Sequence, residues 1–258
     1  MTRENILARV ERLKSALKEL TGKQLDFIEN IITQFRRPFI VLKRKPDSDL
    51  VDEQVLCDFG DVLRIHHCLS SEALSKDRFE YALERTLKLC GKSAELAKSK
   101  TNYGHDITIE GVPFSLKTQA DKGIKENEIH ISKFMELGKG HWKDSVEDLA
   151  GLRAQFLKHM NAYERIITLR CLIKGGKHFK YELVEIPKRL LQEAKDGELI
   201  ISKNSKQDPK PGHCTVTDKQ GNTKFQLYFD GGSERKLQIN HLRKDLCAIL
   251  AQWEFVRE

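Results

Sequence analysis

His105-Asp106-Ile107-Thr108-Ile109-Glu110-Gly111-Val112-Pro113-Phe114-Ser115-Leu116-Lys117-Thr118-Gln119 is the stretch on which the reading of this chain turns. Upstream of it apolar residues recur every three or four positions. From Gly104 they alternate, which is the period of a β-strand. Glu110-Gly111 lies between two alternating runs and predicts a two-residue hairpin turn. The resulting register pairs Ile109 with Val112, Ile107 with Phe114 and Asp106 with Ser115. Ile107, Ile109, Val112, Phe114 and Leu116 then share an apolar face, expected to pack on a helix. Asp106, Thr108, Ser115, Lys117 and Gln119 share a polar face, with Lys117 diagonal to Asp106 and within reach of a long side chain. An ordinary amphipathic hairpin would leave that face as a solvated edge. A magnesium-dependent phosphodiesterase would use it: the carboxylate holds the hard cation, and the lysine orients or activates water and offsets charge on the attacked phosphate.

Working outward, Ser75 to about Lys98 reads as the clearest helix, with Ser75 as N-cap and Phe79, Ala82, Leu83, Leu87 and Leu96 on its apolar face. It carries Glu80 and Glu84 shortly before the hairpin, so a glutamate from it can reach a metal at Asp106. Residues 54–69 read as helical despite Gly60. Ile6, Leu7, Val10, Leu13, Leu17 and Leu20 mark an N-terminal helix that ends at Thr21-Gly22. Leu25, Ile28, Ile31, Ile32 and Phe35 mark a second before Pro38. Packing on the core is the expectation for both, with a dimer surface as the alternative. Downstream, helix is expected at about 144–160. Strands are expected at 166–172 and 179–186 around Gly175-Gly176, and at 198–202, 213–217 and 223–230. Between these sets Pro187 opens a short helix that ends near Gly197. No linker interrupts the chain, so one α/β domain is expected over 1–258. Its parts are a helical stretch over about 1–50, a core over 54–160 that holds the hairpin and a basic part over 163–258.

Of the 258 residues, 39% are hydrophobic and 32% charged, which excludes a disordered chain. No stretch approaches roughly 18 uninterrupted apolar residues, which excludes a membrane-spanning helix. Met1-Thr2-Arg3-Glu4-Asn5 has no apolar signal core, so a cytosolic protein is expected. The net charge of +7 is uneven. Residues 165–258 hold 18 basic and 12 acidic groups, against 27 and 26 before them, which suggests either a polyanionic partner or a charge for solubility. The six cysteines include no Cys-x-x-Cys pair and read as small buried apolar residues in a reducing compartment, not a zinc site.

A helix with Phe79-Glu80, an aspartate opening a hairpin and a lysine on the next strand resembles the PD-(D/E)XK nuclease superfamily. His105-Asp106 stands for its Pro-Asp dipeptide and Ser115-Leu116-Lys117 for its acid-x-Lys tripeptide. Gly111-Val112-Pro113-Phe114-Ser115-Leu116-Lys117-Thr118 is similar to a stretch of the MutH mismatch-repair endonucleases. A longer ordered set resembles type II restriction endonucleases of the SmaI kind. It comprises Phe59-Gly60-Asp61 with His66-His67, Gly104 to Ile109, Met135-Glu136-Leu137-Gly138-Lys139-Gly140, and Tyr163-Glu164-Arg165-Ile166. It continues in Leu183 to Lys188 and in Tyr228-Phe229-Asp230-Gly231-Gly232, running on through Glu234 to Ile239.

The resemblance implies an α/β (α+β) restriction-endonuclease-like core with a mixed central sheet flanked by helices. It implies Mg2+-dependent double-strand cleavage of double-stranded DNA at a short palindrome, CCCGGG with blunt ends. It also implies a prokaryotic cytoplasm and functional pairing with a cognate DNA methyltransferase. A palindrome calls for a two-fold homodimer. Ser115 departs from the superfamily's acid, so the metal would rest on Asp106, the Leu116 carbonyl and Glu80, with Gln119 positioning a water or phosphate. The same departure keeps open a catalytically inactive DNA-binding protein, beside a MutH-like nickase. For recognition, Arg235 and Lys236 are candidate guanine readers, and Gln238 and Asn240 carry base-edge chemistry. The loop 203–213, with Lys206 and Lys210, is expected to clamp the DNA backbone and to order on it. Lys174, Lys177 and Lys180 are a weaker basic cluster, and His66-His67 and Trp142 read as core or helix-surface residues.

Overall fold

The computed structural model describes residues 3–98, 104–120, 123–138, 142–174 and 176–257. Lys139, Gly140 and Gly175, drawn on above, lie outside the described residues, as does the Lys174 side chain. In chain order the elements are α1 (Arg3–Leu17), α2 (Gly22–Arg36), β1 (Val41–Arg44), α3 (Glu53–Leu69), α4 (Lys76–Leu89), β2 (Ala94–Leu96), β3 (Ile107–Ile109), β4 (Val112–Gln119) and β5 (Glu128–Glu136). There follow α5 (Val146–His159), β6 (Arg165–Lys174), β7 (His178–Ile186), α6 (Lys188–Gln192), β8 (Glu198–Ile201), β9 (Gly212–Thr217), β10 (Thr223–Phe229), β11 (Lys236–Arg243) and β12 (Ala248–Val256).

The hairpin forms in the expected register, Ile107 opposite Phe114 and Ile109 opposite Val112. Glu110 and Gly111 both take positive φ, 49° and 79°, the twist a two-residue hairpin turn needs. The hairpin belongs to a seven-stranded sheet of order β1-β12-β7-β6-β4-β3-β2. The sheet is mixed, because β4 and β6 run parallel and the other neighbours antiparallel. On one face Ile107, Ile109, Phe114 and Leu116 join Ile167, Leu169 and Cys171 of β6. They pack on Phe79, Leu83 and Leu87 of α4 and on Phe59 and Leu63 of α3. Truncating any of the buried leucines to alanine should cost about 2–5 kcal/mol. Gly60 is required on α3, since a Cβ there would stand 2.8 Å from the Trp253 ring and 2.9 Å from Phe39.

The helix expected to reach Lys98 stops at Leu89. Gly91, at φ 79°, turns the chain, and the Lys92 N–H closes back onto the Leu87 carbonyl at 2.9 Å. Residues 94–96 then form the edge strand β2, from which Leu96 still packs on the same core.

A second sheet, β5-β11-β10-β9-β8, is antiparallel throughout. Its apolar face meets α5 and α6 in a second core. Ile166, Val184 and Ile186, from the other face of the first sheet, join that core and fix the two sheets together. The sheets interleave in sequence: β5 and α5 serve the second, and β6, β7 and β12 complete the first.

Core packing is not what α1 does. Ile6, Leu7, Val10 and Leu13 are exposed, because the sheet face that would receive them is already filled by α3 and α4. α2 is partly docked. Its Gln34 is buried and donates to the Val256 carbonyl, and Arg64 of α3 donates to the Gln34 and Arg37 carbonyls at its C-terminus. His67 is a core residue, stacked on Phe179 at 3.6 Å and hydrogen-bonded to the Tyr181 hydroxyl. Of the cysteines, Cys171 and Cys214 are buried, whereas Cys57 is exposed on the outer side of α3, so the buried reading holds only in part.

Candidate active site

Face alternation sends Ser115, Lys117 and Gln119 of β4 away from the apolar core, and Thr168 and Arg170 of β6 with them. This polar face is covered: relative exposures are 2% for Ser115, 7% for Lys117, 4% for Gln119 and 0% for Thr168. A solvated hairpin edge is therefore not what the sequence builds.

Asp106 is locked from several sides. Its backbone N–H donates to the Phe114 carbonyl at 2.8 Å, extending the hairpin by one step. Its Oδ2 accepts from the Leu116 N–H at 2.6 Å and from the Ser115 hydroxyl at 3.2 Å, and the Lys117 Nζ lies 3.9 Å away. Its Oδ1 accepts from the Lys76 Nζ at 2.7 Å. That ammonium also meets Glu80 Oε1 at 2.6 Å, one helical turn along α4. Glu80 thus stands beside Asp106, the two carboxylates bridged by one cation.

The charges shift one another. Burial pushes the Lys117 ammonium down to about 8, and Asp106 opposes the shift only in part. Burial raises Asp106, but the positive charges of Lys117 and Lys76 and the Leu116 N–H win, so it stays ionised below the usual carboxylate range. Lys76 is depressed by burial and raised more by Asp106 and Glu80. The Lys117 Nζ also lies 5.2 Å from the centre of the Phe134 ring on β5. His159, at the end of α5, is held below its usual range by burial and by the Lys117 charge. The buried Tyr163 hydroxyl is raised by burial and by the charge on Asp106.

Three residues the sequence reading passed over belong here. Lys76 sits at the first position of α4, i and i+4 with Glu80, a spacing that places both on one helix face. The Tyr163 hydroxyl and the Thr168 Oγ1 are buried without a partner. Thr168 stands opposite Lys117 in the parallel register. Buried polar groups of this kind mark places where water or a ligand sits. Among the described residues no group of three or more His, Cys, Asp or Glu side chains converges on one point.

Gln119 is turned to a structural partner. Its Oε1 accepts from Arg170 Nε at 2.8 Å, within a fully buried Arg170–Glu182 ion pair of 2.6 Å. Of the recognition candidates, Gln238 and Asn240 lie half-buried on the outer face of β11. Lys236 pairs with Glu234, and Arg235 takes a left-handed backbone conformation, φ 40°, in the turn before the strand. The loop 203–213 makes hydrogen bonds of its own within the protein. Gln207 donates to Asp230, the Trp142 indole donates to the Lys210 carbonyl, and the Lys210 ammonium donates to the Ser205 carbonyl. Lys206 stays exposed, but Lys210 is spent on its own loop.

Residues 13–255 match the SmaI family, described as type II site-specific deoxyribonuclease. The chain belongs to this family. It is also 45% identical over 239 residues to the type II restriction enzyme SmaI of Serratia marcescens, covering 92% of this chain and 95% of that one. No solved structure matches the chain. As a member of the SmaI family it is a type II restriction endonuclease, with DNA as its substrate. Among the described residues no helix is long and apolar enough to cross a membrane.

Proposed function

We propose that the pocket around Asp106 and Lys117 is the hydrolytic centre of this SmaI-family endonuclease, that it works with Mg2+, and that it makes blunt double-strand cuts at CCCGGG. The observation that carries the centre is a lysine depressed to about 8 and buried 3.9 Å from an ionised aspartate. Perturbed pairs of this kind mark reactive sites.

The residues fit a hard divalent ion. Lys76 already stands in for one, with its ammonium between the Asp106 and Glu80 oxygens. With Lys76 withdrawn, the Asp106 and Glu80 carboxylates and the Leu116 carbonyl would be the oxygen donors that hold the ion. When bound, the ion polarises the scissile phosphate and lowers the pKa of attached water. The chain supplies the rest. Oδ2 of Asp106, held by the Leu116 N–H and the Ser115 hydroxyl, fixes the carboxylate so that Oδ1 faces outward. Ser115 thus positions the acid, a role that needs no charge. Lys117 Nζ gives up its proton near neutral pH and can take one from water aimed at phosphorus. The unpartnered hydroxyls of Thr168, opposite Lys117, and of Tyr163, raised by the Asp106 charge, offer further hydrogen bonds there.

Arg235, Lys236, Gln238, Asn240 and the exposed Lys206 are the DNA-contacting set in this reading. We treat 1–258 as one domain of two lobes, one for each sheet. Two identical sites are needed to cut both strands of a palindrome, so the active form is a homodimer. Its interface is assigned to α1, whose Ile6, Val10, Leu13 and Leu17 follow the alternating three- and four-residue spacing of a coiled-coil seam. A 15-residue helix with its apolar side in water is not stable on its own, and a second copy of α1 covers it. An enzyme with so short a target would cut its own genome, which implies a cognate methyltransferase in the same prokaryotic cytoplasm.

The test is incubation of supercoiled plasmid carrying one CCCGGG with and without Mg2+. Linear product with Mg2+ and none with EDTA is expected. Nicked circles alone would favour a MutH-like nickase, and binding without cleavage would leave an inactive DNA-binding protein.

A further inference from the structure

We propose that the outer face of the second sheet is the surface that reads base edges, with Gln226 and Asn240 at its centre. The inference rests on the nuclease reading and names how that enzyme recognises its DNA.

β9, β10 and β11 lie side by side in a register that builds two rows. His213 stands opposite Tyr228, which stands opposite Gln238. Thr215 stands opposite Gln226, which stands opposite Asn240. All six side chains are half-buried, while the intervening Cys214, Phe225, Leu227, Leu237 and Ile239 point into the second core. None of the six carries a fixed charge, in a chain that is 32% charged. Among the described residues charges stand beyond the ends of the rows, at Lys224, Asp230 and Lys236 on the same strands, at Glu198 opposite Thr215 on β8 and at Glu136 opposite Lys236 on β5. A sheet face that meets water alone has no reason to exclude Lys and Glu from its middle. The middle of a recognition surface does, because it loses its water when the partner arrives and charges are costly to dehydrate.

The chemistry fits a base-pair edge. The amides of Gln and Asn, the imidazole and the hydroxyls each offer donors and acceptors together, the currency in which grooves are read. The rows are also held still. Gln226 donates to the Thr215 hydroxyl at 3.0 Å, and the His213 ring lies 5.0 Å from that of Tyr228. The Asn240 Oδ1 and the His213 Nδ1 are buried without a partner, so the rows hold hydrogen-bonding capacity that the protein itself does not use. Alternate residues of a strand are about 6.8 Å apart, two steps of the roughly 3.4 Å base-pair rise.

Placement completes the argument. Asn240 and His130 share a cavity of about 320 Å³ with Gln119, two residues beyond Lys117 on β4. A duplex lying over the rows therefore passes directly to the strand that carries the lysine.

The experiment compares full-length wild type with Gln226→Ala and Asn240→Ala. The cognate sequence is taken from the ends of wild-type cleavage products of phage DNA. Cleavage and metal-free binding are then measured on that duplex and on duplexes with one base pair changed. Each variant should lower cognate binding and kcat/KM by about 5- to 150-fold and changed duplexes far less, so the discrimination ratio collapses. Lys219→Ala, in the exposed turn between β9 and β10, should change nothing. Gln226→Met and Asn240→Leu, which keep size and add no charge, give the same answer if the alanine variants do not fold. An unchanged discrimination ratio, or an equal loss on all duplexes, overturns the assignment. If the wild type cuts no DNA with Mg2+ present, it is the nuclease reading that fails.

Discussion

The two sheets each carry a polar face, and the faces are polar in different ways. On the first sheet, Ser115, Lys117, Gln119, Thr168, Arg170 and Glu182 are shut away from water, and half of them carry full charges. On the second, the six residues of the paired rows are half-exposed and uncharged. Charge is worth its desolvation cost where a reaction develops charge, or where a second charge answers it. Neutral hydrogen-bonding groups suit a surface that must tell partners apart. The Arg170–Glu182 pair belongs to the second kind of charge use. Arg170 donates to the Lys125 and Glu128 carbonyls, and Glu182 accepts from Lys244 and Gln252, so the pair ties the first sheet to the start of β5.

This contrast can be broken at either face. The largest effect should come from Asp106→Ala, which removes the carboxylate around which the Leu116 N–H, Ser115 and both lysines are arranged. A loss of about 10³-fold or more in cleavage rate is expected, with cognate binding kept. Next comes Arg170→Met, which leaves the buried Glu182 with Lys244 as its nearest cation and takes the donor from the Gln119 amide oxygen and the Lys125 and Glu128 carbonyls. It should cost about 3–5 kcal/mol in urea unfolding, and adding Glu182→Met should recover only part of it, because the carbonyls stay without a donor. If the single variant were as stable as wild type, the pair would not be the clamp described.

The third test uses pH. With Lys117 depressed to about 8, its neutral fraction grows roughly tenfold per unit below that value. Single-turnover cleavage should therefore rise with pH and level off above about 8, whereas a rate that fell over this range would assign Lys117 an ammonium role. The stability sign is also fixed. Between about 8 and the ordinary lysine range near 10.5, the unfolded chain binds the proton that the folded one has released, so stability contributed at this site rises with pH across that window. The smallest effect is expected for Lys76→Met. Removing the ammonium that holds Asp106 and Glu80 should lower the Mg2+ concentration for half-maximal binding by about 3- to 10-fold, read by calorimetry without DNA.

Much of the first face was legible in sequence because strand alternation and a two-residue turn fix a register, and a register places side chains. Asp106, Ser115 and Lys117 follow from that alone, and Glu80 follows from a helix just upstream. Lys76 was hidden because a lysine at the start of a helix looks like any surface charge until its partner from another strand is known. Gln119 was misjudged for a related reason: its partner Arg170 lies 51 residues away on β6. The end of α4 was overrun because Leu96 continues the apolar spacing past Gly91. β5, β11 and β12 went unread although Ile129 and Ile131, Leu237 and Ile239, and Trp253 and Phe255 alternate with polar residues, because each run is short and none is closed by a two-residue turn like Glu110-Gly111. The rows of the second sheet could not be found in one dimension at all, because they run across three strands.

The most direct measurement is single-turnover cleavage of a pre-bound cognate duplex, started by adding Mg2+, with wild type, Lys117→Met and Lys117→Arg. The account predicts that both variants bind the duplex and that both cut at least about 10³-fold more slowly, with Lys117→Met unfolding near the wild-type temperature and Lys117→Arg below it, because arginine buries a charge that no proton loss can relieve. Arginine fails because its guanidinium does not release a proton near neutral pH. Near-normal cleavage by Lys117→Met would contradict the assignment of this pocket as the hydrolytic centre.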